Sequence, residues 1–379
     1  MKNILLVNTE RYSEKLIADI FSDLESRGYF FHILFYDQGF LNGFSESKEG
    51  RLVKKVKPGF NLDTFLGRTA TFILLPLLCL KQTITLSYIK LKKKPECVIC
   101  FSNRDRLIFT PVARLLRLKV LWLERVDLDY SGGGRFLIKI LRSLSNRVNR
   151  IIVFNQASRL RLEEYGFKKD KIKNVNFSLN PNQEQQDNLF SNLAKKDGSN
   201  SFRSCFSLGL VADLDNIYYI ENFFQSIKIC LDVSSDLRVV IIGEGKEKKR
   251  ISWLARQENL ENIIYLVGGK MDLGRWWESF DVYLAWAKQP RMRDFQIGLE
   301  AMRAQVPVIA HKNKGWEELV EDGKTGFLVA EGDVEELAQK ILHLQQRGEF
   351  RLEMGKEASN LVKEKFSFSN QIQRLTEEV

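Results

Sequence analysis

The feature that most constrains this chain is an alternation of short apolar segments with amphipathic ones, which runs through the sequence twice. In the first run, Ile4–Val7, Phe30–Phe35, Cys97–Phe101, Val120–Leu123 and Arg150–Phe154 are mostly apolar and four to six residues long. Helical patterns fall between them. Leu16, Ile17, Ile20, Phe21 and Leu24 recur at i, i+3, i+4 spacing before Gly28, and similar faces lie around Val112–Leu116 and Leu137–Val148. After a polar stretch from Asn180 to Ser201 the alternation restarts. Ser204–Leu210, Leu237–Ile242, Ile263–Val267, Val282–Trp286 and Val306–Ala310 read as strands, with helices over 217–231, 246–257, 273–280 and 295–304. Short strands separated by helices predict parallel sheets covered on both faces. The expected fold class is therefore α/β, with two Rossmann-like domains facing a cleft. The predicted boundaries are 1–176 for an N-terminal domain, 177–203 for a linker and 204–365 for a C-terminal domain, with a helix over 366–379 crossing back to the first.

Composition removes several classes. Hydrophobic residues make up 44% and charged residues 28%, values of a globular chain with a sizeable core. Five cysteines in 379 residues do not form a disulfide framework. Cys97 and Cys100 have redox-motif spacing, but on one strand they alternate faces, which predicts buried thiols rather than a reactive pair. The three histidines lie far apart, with no zinc-ligand spacing. The opening apolar run is too short for a signal peptide. The longest uncharged apolar stretch, Thr69–Leu80, is twelve residues against the ~20 needed to cross a bilayer, so no membrane span is expected. Phe72–Leu91 then reads as a helix of the first domain, with Leu74, Leu77 and Leu78 inward.

Charge is divided unevenly. Residues 1–200 carry 34 Lys and Arg against 20 Asp and Glu, while residues 201–379 carry 24 against 28. The basic half predicts an anionic partner. Lys90, Lys92, Lys93 and Lys94 close the apolar stretch, and Arg135, Lys139 and Arg142 share one helix face, the polarity of a protein lying on an anionic membrane surface. A nucleic-acid partner is not expected, because no recognition motif or basic helix interleaved with aromatics is present.

The segment Gly298-Leu299-Glu300-Ala301-Met302-Arg303-Ala304-Gln305-Val306-Pro307-Val308-Ile309-Ala310 resembles the signature of group 1 glycosyltransferases, glycosyltransferase family 4 with the GT-B fold. Gly315–Val320 and Gly323–Val329 continue the pattern in register. Upstream, Gly243-Glu244-Gly245 and Leu266-Val267-Gly268 stand where the family has its Gly-x-Gly turn and a base-binding strand end. The resemblance covers about 204–370 and is only architectural before that. It implies transfer of a sugar from a nucleotide diphospho-sugar to an acceptor hydroxyl, with retention, no metal and no cofactor. The donor would lie on the C-terminal domain and the acceptor, a glycan or lipid-linked molecule of surface polysaccharide or glycolipid synthesis, on the N-terminal one. A cytoplasmic protein at the inner membrane face is the matching location.

The same resemblance nominates residues. Glu300 matches the carboxylate that accepts the ribose hydroxyls, and Gly298, Gly209, Gly243 and Gly268 match donor-binding positions. The family's second glutamate, eight positions before Glu300, is replaced by Met292, leaving Asp294 as its stand-in or as a helix N-cap. The family's Arg and Lys after the first glycine of this domain are missing, since Gly209–Asn216 holds Asp213 and Asp215 but no cation. Lys288, Arg291 and Arg293, just before a helix expected to start near Phe295, could neutralise a diphosphate instead. In the first domain, the family's histidine after a middle strand gives way to Glu124 and Asp127, either of which could accept an acceptor proton, or to an ion pair of that carboxylate with Arg125. The missing cations leave a second reading: a catalytically degenerate GT-B protein that assists another transferase.

Overall fold

The computed structural model describes residues 2–8, 15–35, 53–55, 65–124, 134–179, 205–215, 220–269, 273–287, 290 and 292–379. The chain divides into two compact units, Met1–Asn176 together with Ser369–Val379, and Phe177–Phe368.

The first unit runs β1 (Lys2–Asn8), α1 (Lys15–Ser26), β2 (Tyr29–Phe35), β3 (Val53–Lys55), α2 (Phe65–Lys93), β4 (Cys97–Cys100), α3 (Asn103–Leu115), β5 (Lys119–Leu123), α4 (Gly134–Ser145), β6 (Arg150–Val153), α5 (Gln156–Glu164) and β7 (Ile172–Asn174). The strands are parallel and ordered β3-β2-β1-β4-β5-β6-β7. Gly28 ends α1 with φ +94°, a left-handed conformation that only glycine adopts readily. Leu5, Val7, Val98, Val120 and Trp122 form the sheet side of a core closed by α3 and α4. Cys97 and Cys100 are free and buried, and burial pushes the Cys97 thiol up to about 12.

The second unit runs β8 (Phe206–Val211), α6 (Ile220–Val233), β9 (Leu237–Ile242), α7 (Lys248–Gln257), β10 (Ile264–Val267), α8 (Gly274–Trp277), β11 (Val282–Ala285), α9 (Met292–Arg303), β12 (Val308–His311), α10 (Trp316–Leu319), β13 (Gly326–Val329), α11 (Val334–Gln346) and α12 (Gly348–Lys365). Its parallel strands are ordered β10-β9-β8-β11-β12-β13. The last helix, α13 (Phe368–Thr376), is tied to the first unit, where Gln371 Nε2 donates to the Asn176 carbonyl at 2.8 Å and Glu378 pairs with Arg150 at 3.0 Å. In both sheets the strand order reverses beside the opening strand, between β1 and β4 and between β8 and β11. Ligands of open α/β sheets bind outside the carboxyl ends of the strands at such points.

Helix α2 corrects the sequence reading. It continues through Lys81 and Lys90 for 29 residues, and its portion Thr69–Lys93 is long and apolar enough to cross a membrane by length and composition. Nor is it buried as expected. Leu86 and Ile89 are inside, and Phe72, Leu75, Leu78 and Cys79 lean on the core, but Ile73, Leu77, Ile84 and Leu91 are 64–80% exposed. Leu77 therefore faces out, and Leu74 is only half-buried. One side of the helix packs on the unit; the other leaves a row of large aliphatics in the open.

Candidate nucleotide-sugar site

The carboxyl edge of the second sheet is assembled from backbone first. The turns after β8 and β9 are stitched together: Leu214 N donates to the Glu244 carbonyl at 3.0 Å, and Glu247 N to the Leu214 carbonyl at 3.0 Å. Asp215 Oδ1 accepts from Lys246 N at 2.8 Å, and Asp213 Oδ1 from Asp215 N at 3.0 Å. Of the two carboxylates that replace the expected cations, Asp215 thus fastens one loop to the other, while Asp213 braces its own loop. A side chain at Gly243 would lie 2.2 Å from the Ala212 carbonyl oxygen, so close approach of two backbones is what requires glycine here. Gly268 lies 3.1 Å from Glu244 Oε1, measured from the position of a Cβ. The Lys248 ammonium, with help from the Gly269 N–H, holds that carboxyl below its ordinary range.

Two of the glycines assigned to the donor have packing roles. A Cβ on Gly209 would stand 2.2 Å from the Phe280 ring, and one on Gly298 would stand 3.0 Å from the Trp316 ring. Gly298 lets α9 approach α10, where Asn313 Oδ1 accepts from Gly315 N and Trp316 N and the Trp316 indole donates to the Ala287 carbonyl at 3.0 Å.

Helix α9 starts at Met292, not near Phe295. Arg293 is consequently an exposed residue of the first turn rather than part of a loop, and Asp294 lies inside that turn rather than capping it. Lys288, Arg291 and Asp127 lie outside the described residues. Asp294 is 8% exposed, and Glu300, in the third turn, is half-buried with its Oε1 accepting from Gln296 Nε2 at 3.0 Å. Both carboxylates bear on the Tyr283 phenol on β11. Burial first, then the charges of Asp294 and Glu300, push it well above its ordinary 10, with Arg293 opposing. The structure thus brings together Asp294, Glu300 and Arg293. Sequence reasoning missed the exposed Lys246 and Lys312, which follow the ends of β9 and β12 on the same edge; a lysine directly after Gly-x-Gly was the available signal. Among the described residues, no group of three or more His, Cys, Asp or Glu side chains is gathered to hold a metal ion.

Glu124 belongs to a different arrangement from the one expected. It directly follows β5 in the first unit and pairs with Arg106, Nη1 to Oε2 at 2.8 Å, both side chains at most 3% exposed. The carboxylate is closed off by a charge from α3, which argues against a role as proton acceptor for an acceptor hydroxyl.

Two parallel sheets of Rossmann-type order, each with helices between its strands, define the GT-B architecture. Anabaena HepE solved with UDP covers 100% of this chain and 99% of its own at 18% identity and a TM-score of 0.75. TarM covers 100% and 98% at 15% identity and a TM-score of 0.66. Residues 206–347 match the family described as glycosyl transferases group 1, and the second unit is a group 1 glycosyltransferase domain. Among curated proteins, the chain is 24% identical over 245 residues to poly(ribitol-phosphate) alpha-N-acetylglucosaminyltransferase of Staphylococcus aureus, covering 64% of this chain and 46% of the relative. It is 26% identical to N-acetyl-alpha-D-glucosaminyl L-malate synthase of Bacillus anthracis, covering 41% and 40%. The chain thus spans less than half the length of these curated relatives.

Proposed function

We propose that this protein is a retaining glycosyltransferase that moves a sugar from a UDP-sugar to a hydroxyl of a glycan or lipid-linked acceptor in surface polysaccharide or glycolipid synthesis. The observation that carries this reading is the pairing of Glu300 with Gln296 on the helix that follows the strand-order reversal at β8 and β11. A carboxylate held there can accept both ribose hydroxyls. The solved relative with UDP supports uracil as the base. Arg293, Lys246 and Lys312 are available to offset a diphosphate, and no step of this reading uses a divalent ion.

The same reading places the protein on the cytoplasmic face of an anionic membrane. The exposed aliphatics of α2, with Lys92 and Lys93 in its last turn, support an interfacial helix. Lys81 in mid-helix favours lying in the interface over crossing it.

A thermal-shift panel of UDP-, GDP-, ADP- and CMP-sugars tests the assignment. A ligand at ~100 times its dissociation constant stabilises by about 2.7 kcal/mol, a readily measured rise in Tm. The expected result is a response to a UDP-sugar that Glu300→Ala abolishes. Silence toward every nucleotide would favour the degenerate, assisting protein, which Asp213 and Asp215 at the family's cation positions support.

A further inference from the structure

We propose that Arg104 is the anchor of an anion site in the first unit that takes a phosphate group of the acceptor. This rests on the transferase reading for the word acceptor, but the site itself is argued from the first unit alone. The strand order reverses between β1 and β4, so the carboxyl ends of these strands form the ligand-binding edge of that sheet. Helix α3 begins there, directly after β4. Its first turn is dense in charge: Arg104, Asp105 and Arg106 follow one another.

Two of the three are occupied by the fold. Asp105 closes a capping box, its Oδ2 accepting from Ser102 N at 3.1 Å while Ser102 Oγ accepts from Asp105 N at 3.1 Å. Arg106 donates to Asn103 Oδ1 at 3.0 Å and to the Leu123 carbonyl at 2.9 Å, lies 5.2 Å from the Trp122 ring centroid, and pairs with Glu124. Arg104 is different. It is 7% exposed, yet its Nε and Nη1 have no hydrogen-bond partner. A guanidinium taken out of water with two of its donor nitrogens unmet is costly, and folded proteins keep such groups where something else completes them. A small oxyanion with several acceptor oxygens suits two donors that point in different directions, and a phosphate, with its tetrahedral oxygens, is such an anion.

The charge of the chain decides between a neutral sugar and a phosphorylated acceptor. Residues 1–200 exceed neutrality by 14 positive charges while the donor-type unit is slightly acidic, so the attraction for anions belongs to the half that holds Arg104. The positive end of α3 adds to it.

The test is titration of the full chain, followed by thermal shift and calorimetry, with inorganic phosphate and with a short glycerol-phosphate oligomer, against sodium chloride at matched ionic strength. The expected result is saturable binding of the oligomer, tighter than that of inorganic phosphate, weakened at least tenfold in Arg104→Gln with the UDP response unchanged. Arg104→Lys, which keeps the charge and loses the several donor nitrogens of the guanidinium, provides a second variant if the first does not fold; it should also bind less tightly. Binding of the oligomer undiminished in either folded variant, no saturable effect beyond that of chloride, or tighter binding of inorganic phosphate would each overturn the proposal. None of these outcomes depends on a response to UDP, so failure of the donor reading is seen separately.

Discussion

Gln296 and Glu300 face each other one turn apart on α9, with 3.0 Å between the amide nitrogen and the carboxylate oxygen. The amide fixes one oxygen of the carboxylate. A hydrogen bond to a charged group contributes roughly 1.5–3 kcal/mol. Glu300→Ala should therefore weaken UDP binding by one to two orders of magnitude, and Gln296→Ala should weaken it less, because it loosens the carboxylate without removing it. Isothermal titration with UDP checks both, and equal losses in the two variants would show that the amide itself touches the nucleotide.

Gly209 tests whether the glycines of this domain serve the ligand or the core. Its missing Cβ leaves the space that Phe280 fills at 2.2 Å, and an aromatic ring in a packed interior has nowhere to retreat. Gly209→Ala should cost about 1–3 kcal/mol by overpacking. Calorimetry should find a lower Tm with the UDP-induced rise intact. A normal Tm with a lost UDP response would restore the donor role.

The strands of both sheets were legible because burial on both faces leaves unbroken apolar runs, as in Leu5–Val7 or Val239–Ile242. β3 and β7 are three residues long, carry lysine and leave no comparable run. The orientation of α2 was not legible: Leu77 and Leu86 are equally apolar, yet one is 64% exposed and the other buried, and only the tertiary packing distinguishes them. The candidate site divided in the same way. The Glu300 signature is local and survives in sequence, whereas the partner of Glu124 lies 18 residues back, on a helix whose first turn shows no pairing pattern.

His32 makes the first unit sensitive to acid. It is buried on β2 beside the Phe30 ring, and burial, with the nearby Lys93 charge second, lowers its pKa to about 4 from the ordinary 6.5. Below pH 6.5 the unfolded chain takes up a proton that the folded chain refuses. The stability tied to the neutral ring is complete above that pH and is lost as pH falls through about 4. Tm measured from pH 7 to 4 should drop less steeply in His32→Phe than in the parent protein. Parallel curves would mean that other groups govern the acid transition.

The exposed row on α2 yields a binding prediction. Leu77→Asp with Ile84→Asp places charge among aliphatics that are 64% and 69% exposed, so the fold should tolerate it. Sedimentation with vesicles containing anionic lipid should recover the parent protein and lose the double variant. Salt should weaken the parent's binding, since each lysine near the surface contributes ~1 kcal/mol. Retention of the double variant on vesicles would assign membrane contact to another surface.

Arg106 and Glu124 decide whether the latter is structural. Removing one member of a buried pair leaves an uncompensated charge and costs about 3–5 kcal/mol, whereas replacing both by apolar groups is often neutral. Glu124→Ala should therefore lower Tm strongly, and adding Arg106→Met should return much of it. The doubly substituted protein then isolates chemistry from folding. If its turnover with a UDP-sugar and acceptor stays within a few fold of the parent's, the carboxylate serves only the pair. If Tm returns and turnover does not, Glu124 acts on the acceptor after all, and Arg106 is the group that holds it in place.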